Sequence, residues 1–183
     1  MRLPRFRVVK IPGAKKVVGL AGAVTSGQAE HLLQKLEKVD GKLGTVSQAF
    51  DAAMIAGPEH LIHAARLAIV SRCSGHCFAD SFKLDLICWV SAERQIGKAL
   101  KKAGLKPGQL ELALLVIGDS AQQVEKALSS ILSHAERDDR VLDISPRKEA
   151  RLKRFFSISK RELQVAPLKH LIFERMALLS LED

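Results

Sequence analysis

The residues of this chain that carry chemistry of their own gather near its middle. Cys73-Ser74-Gly75-His76-Cys77 places three groups able to ligate a metal within five positions. A closed zinc site takes four ligands, and no second cluster follows in the sequence, so His60 or His63 would have to complete it from the preceding segment. A thiolate paired with a histidine is the other chemistry such residues permit, but no Cys here sits in a nucleophile signature. The plain reading is a loop with ordinary thiols and no metal. Gly19, Gly22 and Gly27 lie between an apolar run and a helical pattern, as a phosphate cradle would. Their spacing is neither G-x-G-x-x-G nor G-x-x-x-x-G-K-[ST], and a glycine-rich turn into a helix accounts for them. The carboxylates are scattered and mostly neighbour Lys or Arg, so no acid/base pair stands out. The expectation is a protein without catalytic groups or cofactor.

What the same region does offer is positive charge beside rings. Arg66, Lys83, Arg94, Lys98, Lys101 and Lys102 can meet phosphates, while His60, His63 and Trp89 can offer rings or hydrogen bonds to unpaired bases. Each Lys or Arg taken singly is better explained as the wet face of a helix, and Trp89 lies in the most apolar segment, where core burial is expected. A formal net charge of +9 on 183 residues makes a polyanion the first partner to consider, though it also serves solubility. Seven Phe, one Trp and no Tyr are too few rings to stack a single strand along its length, which leaves room for a local pocket only.

These residues need elements to hold them. Pro58 opens a helix on which Leu61, Ala64, Ala65 and Ala68 share one face and Glu59, His63 and Arg66 another, with His60 beside them. After the Cys-containing loop, Asp80 or Ser81 caps a second helical run, apolar nearly all round from Leu84 to Val90 except for Asp85. That run continues through Ser91 to Lys102, with Ala92, Ile96, Ala99 and Ala103 inward and a basic edge outward. Phe6 to Ile11, Val17 to Val24, Thr45 to Ala53, Leu110 to Ile117 and Arg140 to Ile144 read as strands, and Leu110 to Ile117 as the central one. Further helices are expected over Gln28 to Val39, closed by Asp40-Gly41, after the cap Gly118-Asp119-Ser120, after Ser145-Pro146, and from Pro167. The pattern predicts a single α/β (α+β) domain: a central mixed or antiparallel sheet of four to five strands with helices on both sides.

The closing helix has two greasy sides. Leu168, Leu171, Ile172, Met176, Leu178 and Leu179 form a broad apolar face, while at about 100° per residue Phe173, Ala177 and Leu181 fall on the other. One side can be the chain's own core; the second fits either another internal neighbour or a partner protein.

The order His63-Ala64, a loop, Ala79-Asp80-Ser81-Phe82, Asp85, Ser91, Gln95-Ile96 and Ala99, followed by Glu174-Arg175-Met176-Ala177-Leu178-Leu179-Ser180-Leu181, resembles the PRPK-binding subunit of the KEOPS complex, of archaeal type. The likeness runs from about Thr45 to Leu181, with Ser91-Ala92 where relatives have Ser-Gly. It implies a non-catalytic subunit whose closing helix, through Phe173, Met176, Ala177 and Leu181, docks on the atypical kinase/ATPase subunit. It also implies binding of the 3′ CCA end of tRNA, assigned here by charge and placement to His60, His63, Arg66, Lys83, Arg94, Lys98, Lys101 and Lys102. The transferase that makes threonylcarbamoyladenosine would then be an indirect partner. A stand-alone basic RNA-binding protein, or a small metalloprotein using the Cys73 to Cys77 loop, are the other readings. Three Cys, an odd number, point to a reducing compartment. With no apolar signal core before Lys16 and no run of membrane-spanning length, a cytoplasmic protein is expected.

Overall fold

The computed structural model describes residues 6–26 and 29–181. Five strands form one antiparallel sheet: β1 (Arg7–Lys10), β2 (Val17–Val24), β3 (Val46–Asp51), β4 (Glu111–Gly118) and β5 (Glu136–Arg137). Their order is β1-β2-β4-β3. β1 pairs with the first half of β2 and β5 with its last two residues, on the edge opposite β4. β4 is central, as its continuous apolar run implies for a strand buried on both faces. The sheet is antiparallel throughout, one of the two forms expected.

Because side chains alternate along a strand, the sheet divides the molecule into two cores. Val18, Leu20, Phe50, Ala113, Leu115 and Ile117 face the larger one. It is covered by α2 (Pro58–Cys73), α3 (Phe82–Ser91), α4 (Ile96–Ala103), α6 (Pro146–Phe155) and α8 (Leu168–Leu178), with the one-turn α7 (Glu162–Val165) beside α8. Ala21, Ala23, Ala49, Leu112, Leu114 and Val116 face the smaller core, under α1 (Ala29–Leu43) and α5 (Ala121–Ile131). Ser120 and Ser145 accept backbone N–H bonds at the starts of α5 and α6 as cap residues should.

Several boundaries differ from expectation for identifiable reasons. Gly19 and Gly22 lie inside β2 rather than in a turn. A Cβ at Gly19 would run into Val124 of α5, and one at Gly22 into the backbone of Asp138, so each glycine admits a neighbour to close range. Gly27, and the expected helix start at Gln28, lie outside the described residues. α1 does not stop at Asp40-Gly41 but runs to Leu43, ending at Gly44 with φ +65°. Asp40 is buried there and accepts from Thr45 Oγ1 (2.8 Å), Ser47 N (2.9 Å) and Ser47 Oγ (2.6 Å), tying the end of α1 to β3. The run from Ser81 to Lys102 is two helices, α3 and α4, because Ala92 turns left-handed (φ 47°, ψ 50°). Ser81 occupies the cap position of α3 without a side-chain bond. Residues 140–142 belong to a 3-10 turn rather than a strand. Among the described residues no helix is long and apolar enough to cross a membrane.

Candidate functional site

The N-terminal half of α2 is held from three sides. Glu59 pairs with Arg7 of β1 (2.6 Å) and Lys169 of α8 (3.9 Å). One turn on, His63 stacks on Phe173 of α8, with ring centroids 4.5 Å apart and planes 24° from parallel. This ring pair joins a histidine assigned to RNA with a phenylalanine assigned to the partner face, so both are partly spent on holding α2 against α8. Burial, with Arg66 close by, lowers the pKa of His63 and favours its neutral ring.

His60 requires a correction. It is fully enclosed, with Nδ1 accepting from Ala56 N and Nε2 against Val90 O, both at 3.0 Å, and its ring edge-on to Phe156. Burial pushes its pKa down to about 3. A ring with both nitrogens engaged and no open face is a core histidine and cannot touch RNA.

The cations assigned to RNA divide into two groups. Lys83 reaches Glu37 (2.6 Å) and Asp40 (2.7 Å) of α1, and that pairing raises its pKa despite partial burial. Lys102 reaches Glu93 (3.3 Å) and lies over the ring of Phe155. Both are taken up by the fold itself. Arg66 on α2, Arg94 between α3 and α4, and Lys98 and Lys101 on α4 are exposed, and no carboxylate among the described residues lies within 4 Å of them. Arg94 rests its guanidinium over Phe78, 5.5 Å from the ring centre.

Arg94 also borders a cleft of about 490 Å³ whose other walls include Val70, His76, Phe78, Trp89 and Leu179. Trp89 is 2% exposed and packed against Phe78 with centroids 4.9 Å apart. The buried Asp85 beneath accepts from Phe78 N (2.7 Å), and burial raises its pKa. Sequence reasoning missed Phe78 and Leu179 as walls of this cleft. Phe78 directly follows the Cys-containing loop, but nothing local shows that the end of α8 closes the other side.

That loop is a compact turn: Ser74 N donates to Val70 O, His76 N donates to Ser71 O, and Gly75 is left-handed. Cys73 and Cys77 are exposed and Cys88 is buried, its thiol pushed up to about 11. Among the described residues no three His, Cys, Asp or Glu side chains come together as a metal would require.

On α8, Leu171, Ile172, Met176 and Leu179 are buried in the larger core, and Arg175 pairs with Glu162 of α7. Met176 is therefore corrected from the partner face to the core: at 0% exposure its side chain meets only its own chain. Leu178, expected inward, is 41% exposed. Ala177, Leu178 and Leu181 point outward, Leu181 at 76% exposure, with Phe173 half-buried at one margin. The helix thus has one face in its own core and an apolar strip outside it.

A family model described as "Kinase binding protein CGI-121" matches residues 26–180. The regulatory protein Cgi121 of Methanocaldococcus jannaschii is 30% identical over 116 residues, which is 63% of this chain and 73% of that protein. On the extent of that match, which begins after β2 and runs from Ser26 past the end of α8, the chain belongs to the CGI-121 family of kinase-binding proteins.

Proposed function

We propose that the chain is a non-catalytic subunit of a KEOPS-type tRNA-modifying assembly. It grips the atypical kinase/ATPase subunit with α8 and tRNA with α2 to α4. In this way it brings substrate to the transferase that installs threonylcarbamoyl on the adenosine after the anticodon. The observation that carries this reading is the outer strip of α8. Ala177 and Leu178, with Leu181 in the turn that follows, are apolar and exposed at the end of a helix whose opposite face is anchored in the core, which is how a rigid helix meets a groove on another protein. The kinase-binding description of the family supplies the partner class.

The tRNA half is supported by Arg66, Arg94, Lys98 and Lys101, none of which has a carboxylate within 4 Å among the described residues, and by the ring-walled cleft beside Arg94, which offers an unpaired 3′ base an aromatic and cationic surround. A second contact of this kind, far from the reacting atom, raises the bound fraction and fixes orientation without doing chemistry.

Two measurements test the reading. Ala177→Glu places a carboxylate in the centre of the strip. Co-purification with the kinase subunit should be lost while thermal unfolding stays near wild type, since an exposed substitution alters stability by about 0.5 kcal/mol or less. Retention of the complex overturns the α8 contact. Separately, tRNA lacking its 3′ end should bind at least about fivefold more weakly than intact tRNA, because stacking of one base is worth roughly 1–3 kcal/mol. Equal affinities remove the 3′-end contact.

A further inference from the structure

The reading above leaves the outer face of α6 unused. Arg147, Arg151 and Arg154 recur at intervals of four and three residues, so they stand on one helix face spread over roughly 10 Å of axis. All three are exposed. No carboxylate among the described residues lies within 4 Å of Arg147 or Arg154. Arg151 reaches only Asp51 Oδ2, at 3.5 Å. The acid on the same helix, Glu149, is paired with Lys153.

The three arginines line a shallow hollow of about 400 Å³ floored by Met54 and Phe155. Arg147 and Arg151 also wall a second cleft of about 840 Å³ together with Lys106, Arg140 and Lys148. Arg147 and Arg151 therefore stand between the two hollows, on a ridge formed by the outer face of α6. Four carboxylates share the second cleft. Asp51 is buried and pairs with Lys106 (3.6 Å) and Arg151 (3.5 Å), and Asp138 pairs with Arg140, so Asp143 and Glu111 are left beside Lys148 and Arg147, and the cleft's five cations outnumber its carboxylates by one. Lys148 is almost enclosed and donates to the carbonyls of Val141 and Leu142 rather than to a carboxylate. Lys102 of α4, 5.4 Å above the ring of Phe155, joins α4 to this surface.

The chemistry selects the partner. A planar guanidinium matches a phosphate through two parallel bonds, and a row of them suits a charged backbone. A helix made for a lipid surface turns apolar side chains outward beside its basic stripe, whereas Leu152 and Phe156 of this segment are turned into the core. A protein interface is expected to have an apolar centre, and the ridge has arginines there.

We propose that the α6 ridge is a second RNA-binding surface, in which Arg147, Arg151 and Arg154 hold the phosphodiester backbone of a folded RNA stem without regard to base sequence. It deepens the reading of the chain as a tRNA-holding subunit and takes its natural RNA from that reading, but the binding itself requires only a phosphate backbone.

The test uses the full chain, intact tRNA and an RNA hairpin with no tRNA features, each titrated at several salt concentrations. The variant R147Q/R151Q/R154Q should bind both RNAs at least tenfold more weakly, with the slope of log affinity against log salt reduced by roughly two to three, about 0.9 for each phosphate released from an arginine. R147K/R151K/R154K, which keeps the charge, should recover most of that slope. It also separates a charge effect from a folding defect. An unchanged slope in the Gln variant overturns the proposal. So does loss of kinase co-purification, or of binding to phosphatidylserine vesicles, with RNA binding intact. Failure of the 3′-end reading looks different: truncated and intact tRNA bind alike, while the Gln variant still weakens both RNAs.

Discussion

His60 shows how a side chain with catalytic potential becomes a structural one. Its Nδ1 accepts from Ala56 N and its Nε2 donates to Val90 O, which links the loop before α2 to the end of α3 across the larger core. The neutral ring satisfies both neighbours, whereas the imidazolium would put a second proton against Ala56 N–H. With its pKa lowered from 6.5 to about 3, the folded state declines a proton that the unfolded chain accepts below pH 6.5. The unfolded state then binds more protons over that window, so stability falls as pH drops from 6.5 towards 3, by at most about 1.4 kcal/mol per pH unit for this one group. Between pH 6.5 and 5 the carboxylates with lowered pKa values, Glu59 and Glu93 among them, remain ionised and contribute little. In that interval urea midpoints of the wild type should decline with acidification. His60→Gln keeps an acceptor and a donor but cannot titrate. It should be less stable at pH 7.5 and show a flatter decline, and parallel profiles for the two proteins would refute the assignment. The placement of His60 at i−3 from His63 gave no hint that one ring is enclosed and its neighbour stacked at a seam. Helical spacing separates faces, but it does not say which neighbouring helix covers each one.

At the scale of elements, apolar periodicity located nearly every helix and strand, because a buried face imposes its period on the sequence whatever covers it. The misread boundaries are those set by single backbone dihedrals or by distant partners. α3 and α4 are separated by Ala92, a residue type with no preference for the left-handed region it occupies, so nothing local announced the break. Asp40-Gly41 resembles a helix stop, but Asp40 spends its carboxylate on Thr45, Ser47 and Lys83, and the helix continues to Gly44. Ala92 can be tested directly. An L-residue in the left-handed region costs roughly 1–2 kcal/mol, and the extra freedom of glycine in the unfolded chain returns about 0.4–1 kcal/mol of that. Ala92→Gly should therefore raise stability, by up to about 1.6 kcal/mol, while Ala92→Val, β-branched at the same dihedrals, should lower it. A lower urea midpoint for the glycine variant would show that the break between α3 and α4 is not strained.

For the whole molecule, the sequence pointed to two candidate adhesive surfaces, one apolar and terminal, one cationic and central; it did not show how much of each the fold consumes. Met176 and half of Phe173 go to the core, Lys83 and Lys102 to internal carboxylates, and what remains outside is Ala177 and Leu178 of α8 with Leu181 in the turn after it, and Arg66, Arg94, Lys98 and Lys101 along the stretch from α2 to α4. Arg94 and Leu179 border the same cleft, so the two surfaces approach each other there. Lys98 and Lys101 lie on α4, and among the described residues they share no hydrogen bond or ion pair with Ala177 or Leu181. Substitutions at independent sites combine additively, which makes the division of labour measurable. Lys98→Gln with Lys101→Gln should weaken tRNA binding and lower its salt slope by about two, about 0.9 per phosphate, with kinase co-purification unchanged. Ala177→Glu should do the reverse in the isolated chain, and the combined variant should show both effects at their separate magnitudes. If the α4 variant also releases the kinase, or Ala177→Glu also weakens tRNA binding, the two surfaces form one composite interface and the assignment of a single partner to each is wrong.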